Sequence, residues 1–264
     1  MRQGLVAGVV LAGAVFVAFP AWAETKRRPA RPAQGAATAA DSREAQGVAQ
    51  EPSTAKPAAD EGKDCAAVMA RKIQSHYDGV RDLTARFTQV SEVVSLGAQA
   101  AAAPPATSSG EVSFARPGKM RWSYEQPEPS LVVTDGEDLW IYDPGGNEAQ
   151  RMHAGEGFLS GAALQFLLGR GAIDRDFRVS ALACGPEQTR LALAPRKSAA
   201  YEKLEIRVDP ASGEIVQTAV FDLVGNVTRV TFESVRTNTG LADELFRFSP
   251  PDGVRVVEVP AAEK

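Results

Sequence analysis

Glu111-Val112-Ser113-Phe114-Ala115-Arg116-Pro117-Gly118-Lys119-Met120-Arg121-Trp122-Ser123-Tyr124 decides the fold. Val112 and Phe114 alternate with Glu111 and Ser113. After Pro117-Gly118, Met120, Trp122 and Tyr124 alternate with Arg121 and Ser123. A period of two, broken by a Pro-Gly turn, is the mark of two paired strands, each with one apolar and one polar face.

The same period extends outward in both directions. Leu83, Ala85 and Phe87 alternate with Thr84, Arg86 and Thr88. Further strands are expected at 130–134, 138–142, 148–152, 176–183, 189–194, 202–208, 214–223, 227–236 and 254–259. Turn residues separate them: Asp135-Gly136, Pro144-Gly145-Gly146, Asp209-Pro210, Ser212-Gly213, Gly225-Asn226 and Pro250-Pro251-Asp252-Gly253. Eleven or twelve short strands at even spacing predict a mainly β fold, a strongly curved antiparallel sheet or an incomplete barrel.

Helices are few. Asp64 is a candidate cap for a helix through Ala67, Met69, Ala70, Ile73, Tyr77 and Val80, closing near Gly79. Phe158, Leu159, Ala162, Ala163, Phe166, Leu167 and Leu168, between Gly157 and Gly169, have the spacing of an apolar helix. A third, short helix is expected near 241–246. These helices are available to cover the concave face of the sheet.

The chain has 264 residues, of which 44% are hydrophobic, but it is not uniform. Residues 1–23 pair Arg2 with an uncharged apolar run, Gly4 to Phe19, and the small-x-small site Ala21-Trp22-Ala23. This reads as a secretory signal peptide, too short to span a bilayer. Residues 24–62 hold 11 Ala and 4 Pro, no aromatic, and Val48 as the single large aliphatic. They read as a disordered linker, either a spacer or a neutral tail. The globular domain is then 63–264, long enough for one core. Residues 96–108, rich in Ala, read as a mobile loop between strands, a flap at a cavity mouth or a plain hairpin extension.

Charge and composition exclude several functions. The domain's 22 basic and 27 acidic residues leave it at −5, which argues against nucleic-acid binding. The 2 His and 2 Cys, at 76, 153, 65 and 184, lack metal-ligand spacing, so no metal and no cofactor are expected. No nucleophile elbow surrounds Ser160, no phosphate loop is present, and Gly169-Arg170-Gly171 lacks a third glycine. Asp135 and Asp143 sit in turns that already account for them. The chain therefore reads as a non-enzyme with a concave apolar surface, a binder of something apolar. After export, Cys65 and Cys184 meet an oxidising space, where two cysteines pair more often than they stay free.

The stretch Phe114-Ala115-Arg116-Pro117-Gly118-Lys119-Met120-Arg121-Trp122, with Tyr124, Gln126-Pro127, Thr134-Asp135-Gly136 and Leu139-Trp140-Ile141-Tyr142-Asp143-Pro144, strongly resembles the LolA family of outer-membrane lipoprotein carriers. Ala85-Arg86-Phe87-Thr88-Gln89 and the segment Phe246 to Val254 resemble it too, so the likeness covers about 64–259. The resemblance implies an unclosed antiparallel half-barrel of about eleven strands under a helical lid. It implies a monomeric carrier that works in the periplasm, shields lipoprotein acyl chains and does no covalent chemistry. A LolCDE-type inner-membrane exporter would be the donor and a LolB-type outer-membrane protein the acceptor.

By the same resemblance, Arg116 would bond lid carbonyls near Leu168-Gly169 and latch the cavity shut. The expected cavity residues are Phe87, Phe114, Met120, Trp122, Tyr124, Phe158, Leu164, Leu167 and Leu168. Met120 stands where the family more often has an aromatic. The linker, the insertion and the cysteine pair set this chain apart. A LolA-like binder of another lipophile, such as a glycolipid, is the second reading, and an acceptor of LolB type the third.

Overall fold

The computed structural model describes residues 58–94, 104–153 and 171–260. The signal-peptide reading of 1–23 lies outside these residues, as do most of the 24–62 linker and the expected helix at 157–169. The described part begins with helix α1, Ala58–Asp78. It starts before Asp64, so the last residues read as linker belong to the helix. Ala66, Met69, Ala70, Ile73 and Tyr77 recur at three- and four-residue steps and are all buried, with Ile73 at 0% exposure. Ala66, not the expected Ala67, takes the inward place, and Ala67 is exposed.

Twelve strands follow: β1 Asp82–Glu92, β2 Ala106–Ala115, β3 Lys119–Gln126, β4 Ser130–Thr134, β5 Asp138–Asp143, β6 Glu148–His153, β7 Phe177–Cys184, β8 Thr189–Pro195, β9 Tyr201–Val208, β10 Ile215–Asp222, β11 Val227–Thr237 and β12 Arg255–Glu258. A single turn of helix, α2 (Ile173–Asp176), precedes β7.

They form one sheet in the order β12-β6-β5-β4-β3-β2-β1-β11-β10-β9-β8-β7. Every pairing is antiparallel except the last strand, β12, which lies parallel to β6. β7 and β12 are the two edges and do not pair, so the sheet is unclosed. This is the mainly β, open architecture expected. The strand bounds depart from the sequence reading chiefly at β2, whose Ala106, Thr107 and Ser108 pair with Ser91, Val90 and Gln89. The small residues at 106–108 are strand, not loop.

Alternation fixes the faces. In β3, Met120, Trp122 and Tyr124 are buried, while Arg121 and Ser123 between them are partly exposed. The inward set joins α1 in one core cluster with Phe87, Phe114, Val132, Leu139, Leu191, Leu204, Ile206 and Val230. Helix α1 packs over β7, and Cys65 is disulfide-bonded to Cys184 at that strand's end.

The outer face holds a correction. The short helix expected near 241–246 is a 3-10 turn, Asp243–Phe246, and it does not lie on the concave face. Arg121, which points away from Met120 and Trp122, donates from Nη1 to the Leu245 carbonyl at 3.2 Å. Phe246 is 1% exposed, yet it stands apart from the concave cluster. Leu131 and Val133 are buried on this same outer face of β4. Trp140 and Tyr142 of β5 stack with Phe248 at ring distances of 5.6 and 5.2 Å. The C-terminal segment thus straps the convex side, because that side is apolar over β4 and β5.

Candidate functional site

The concave face centres on aromatic rings. Phe87 of β1 lies opposite Gly110 of β2, which in turn pairs with Tyr124 of β3. A Cβ at Gly110 would come within 1.9 Å of the Ser123 carbonyl oxygen. Only glycine lets the two strands approach this closely, which draws the rings of Phe87 and Tyr124 together across it. Their centroids are 5.2 Å apart, edge to face. Phe87 and Trp122 are 4.9 Å apart, Phe114 and Trp122 6.0 Å, and Phe232 of β11 approaches Trp122 at 6.5 Å. Met120, on the same face, is fully buried beside them.

Two polar groups lie inside this cluster. The Tyr124 hydroxyl donates to Gln89 Oε1 at 3.1 Å, and burial pushes its pKa up. Trp122 is 9% exposed, and its indole N–H has no hydrogen-bond partner among the described residues. A buried donor without an acceptor is costly, by about 1–3 kcal/mol.

Arg116 follows β2 at the end of the sheet where α1 stops. Its backbone N–H donates to the Arg81 carbonyl at 2.9 Å, and its Nη2 donates to the Tyr77 carbonyl at 2.6 Å. Tyr77 is the last buried residue of α1, and its carbonyl, in the helix's last turn, also accepts the Val80 N–H at 3.1 Å. A guanidinium satisfies such a group well. The Arg116 Nε–H is buried without a partner among the described residues. The Tyr77 phenol in turn accepts the Ile215 N–H at 3.1 Å. Burial raises its pKa to about 12, which keeps it neutral.

Two hollows flank Arg116. A void of about 10 Å³ lies between it and Tyr77, Val80, Leu83 and Phe114. An open cleft of about 430 Å³ also adjoins it, lined by Arg81, Asp82, Asn238, Thr239, Gly240 and Asp243. Asp82 is 8% exposed. It accepts the N–H groups of Thr239 and Gly240 and the Thr239 hydroxyl. Burial pulls its pKa up, but these donors outweigh that and hold it below the usual carboxylate value.

Five of the expected cavity residues, Phe87, Phe114, Met120, Trp122 and Tyr124, are therefore together on one face. Phe158, Leu164, Leu167, Leu168 and Gly169 lie outside the described residues, and so does any contact of Arg116 with the last two. The carbonyl that Arg116 does reach, Tyr77, had no signal in the sequence, since every residue carries one. Phe232 was also missed as a neighbour of Trp122. Its place in the alternation of β11 could have found it.

The fold and this face define a class: open half-barrels whose concave side is an aromatic-lined apolar surface. The family model described as outer membrane lipoprotein carrier protein LolA matches residues 78–249. An outer-membrane lipoprotein carrier protein of Chromobacterium violaceum is 32% identical over 186 residues, 70% of this chain and 85% of that one. One of Dechloromonas aromatica is 31% identical over 187 residues, covering 70% and 86%. A crystal structure of a LolA superfamily protein from Nitrosomonas europaea aligns with a TM-score of 0.38 and 11% identity, over 69% of this chain and 97% of that one. The chain belongs to the LolA family.

Proposed function

We propose that this protein is a periplasmic lipoprotein carrier. It takes lipoproteins from a LolCDE-type exporter in the inner membrane, shields their acyl chains against the concave face and delivers them to a LolB-type acceptor in the outer membrane. One observation carries the reading: a family member whose inward face joins Phe87, Phe114, Met120, Trp122 and Tyr124 into a single apolar surface. The unpartnered indole N–H of Trp122 suits an ester or amide carbonyl at the head of a lipid anchor. The secretion-type N-terminus supports export, and among the described residues no helix is long and apolar enough to cross a membrane.

The energetics call for a latch. Each buried CH₂ contributes about 0.8 kcal/mol, so complete burial of several acyl chains would hold cargo beyond release. A closed resting state that must open discounts that affinity. The concave rings here are packed on one another, at 2% to 9% exposure, so a guest has to part them. We read Arg116 as the latch, and its bond from the end of β2 to the end of α1 supports that reading. Leu168 and Gly169 are its expected partners in the lid.

The test is a transfer assay. Arg116→Leu should accept lipoprotein from the donor but fail to hand it to the acceptor. Unchanged handover refutes the latch. Native mass spectrometry of the protein from the periplasm should find a diacylglyceryl-peptide, and a free lipid in its place would overturn the lipoprotein assignment.

A further inference from the structure

Towards the far end of β1 the rings of the concave face give way to neutral polar residues. Alternation carries the inward face of β1 from Phe87 through Gln89 to Ser91. The register places Ser108 of β2 opposite Gln89, and Thr228 of β11 opposite Ser91. Side-chain bonds join these groups in a chain. The Tyr124 hydroxyl donates to Gln89 Oε1 at 3.1 Å, Gln89 Nε2 donates to Ser91 Oγ at 3.5 Å, and Ser91 Oγ lies 3.4 Å from Thr228 Oγ1. Tyr124 also belongs to the ring cluster, 5.2 Å from Phe87 and 6.5 Å from Trp122 between centroids. The polar chain is therefore continuous with the apolar surface.

Its last two links are long, since good hydrogen bonds of these kinds run at about 2.5–3.2 Å. Gln89 and Ser91 are only partly buried, so a guest can reach them without parting the rings. No cation of the described strands faces them. Glu92 and Arg229 take the outer face and pair with each other at 2.7 Å, and Lys203 and Glu205 of β9 do the same at 2.8 Å. Asp222, at the end of β10, turns its carboxylate to the N–H groups of Val224 and Asn226. Farther across the inward face, alternation brings in Asp143 of β5 and Glu148 of β6, and Glu148 holds Arg255 of β12 in an ion pair. Arg116 is at the opposite end of β2.

We infer that Gln89, Ser91, Ser108 and Thr228, with the Tyr124 hydroxyl, form a head-group subsite that admits uncharged lipid heads and excludes phosphate. It rests on the acyl-binding reading of the concave face and adds the class of head that face selects. A diacylglyceryl head offers ester oxygens, which accept from the Gln89 amide and the hydroxyls and bring no charge. A phosphate head brings a negative charge to a half-buried place with no free cation to pair it, and burying an unpaired charge costs far more than a neutral contact returns. The phospholipids of a membrane bear that phosphate. A neutral subsite therefore keeps the concave face from filling with the lipids that surround its cargo. Polar groups built to bond one head reject another strongly, because they would be left unpaired.

The experiment is isothermal titration calorimetry of the full exported protein with two probes of equal acyl chains, dioctanoylglycerol and dioctanoyl phosphatidate. The native protein should bind dioctanoylglycerol about tenfold or more tightly than the phosphatidate. Gln89→Leu combined with Thr228→Val should weaken dioctanoylglycerol about tenfold, so that the preference disappears. Ser91→Lys sets a cation in the subsite and should raise phosphatidate affinity about tenfold. Gln217→Leu combined with Thr231→Val removes a polar pair of the same kind, bonded at 2.9 Å on the outer face, and should change neither affinity. Equal binding of the two lipids by the native protein overturns the subsite and leaves the carrier reading standing. So does an unchanged preference in the Gln89–Thr228 variant, or a Ser91→Lys protein that gains no phosphatidate. Binding of neither lipid by the native protein overturns both.

Discussion

Removing the Cys65–Cys184 bond should destabilise the whole domain rather than fray one helix. The bond joins α1, which precedes β1, to the edge strand β7, across 119 positions. Closing a loop of that length removes chain entropy from the unfolded state worth about 4–5 kcal/mol at 25 °C. Domain stabilities are about 5–15 kcal/mol, so this is a large share. The native state loses little else, because α1 keeps its buried face and its ties to the sheet. Gln74 Oε1 accepts the Ile173 N–H of α2, and the Tyr77 hydroxyl accepts the Ile215 N–H of β10. The perturbation is the double variant Cys65→Ser with Cys184→Ser, which leaves no odd thiol to react. Urea unfolding followed by tryptophan fluorescence suits it, since Trp122 is buried and Trp140 partly exposed. With a slope of about 2–3 kcal/mol per M, the midpoint should fall by about 1.3–2.5 M. A fall corresponding to less than about 1 kcal/mol would refute the entropic reasoning and show that the unfolded chain is held together by other means.

Two further outcomes follow from the sheet and its C-terminal connection. Gly110→Ala should destabilise by about 1–3 kcal/mol, because its Cβ would meet the Ser123 carbonyl and force β2 from β3; thermal unfolding at an unchanged melting temperature would contradict this. Asp82 has a depressed folded pKa, so its contribution is present above the unfolded carboxylate value, about 3.9, and is lost as pH falls through the lower folded value. Asp82→Asn should therefore flatten the acid limb of the stability–pH curve below about pH 4, and an acid limb identical to the native one would exclude Asp82 as its source.

Much of this molecule was legible because β periodicity reports faces directly. Met120, Trp122 and Tyr124 could be assigned to one side from their spacing alone. The cysteine pair was legible because a chain with two cysteines has one possible internal bond. Other features were hidden for physical reasons. Ala58 and Ala59 lie in an Ala-rich segment whose composition resembles a linker, and their helix depends on the face formed further on by Met69 and Ile73. Ala106 and Ser108 are weak strand formers beside Thr107, and the three are strand because the long β1 offers them a partner. Leu131 and Val133 make β4 apolar on both faces, which signals a cover without naming it. That cover, Phe246 and Phe248, is more than 100 positions away. The parallel pairing of β12 with β6 leaves no local trace, since no turn joins them.

The strand order has a consequence for how the chain assembles. β1 to β6 are neighbours in sequence order, and so are β7 to β11, which makes two meanders of local hairpins. A single seam joins them, β1 against β11, where Ser91 and Thr228 meet across 137 positions. Local hairpins form quickly, whereas distant pairings wait on loop closure. Each meander can therefore take shape alone, with the seam as the slow step. Until the seam forms, β1 and β11 are open edges, and until β12 arrives so is β6. The twelfth strand is thus the one that covers an edge, and a chain cut short before Arg255 leaves β6 free to pair with a neighbour's.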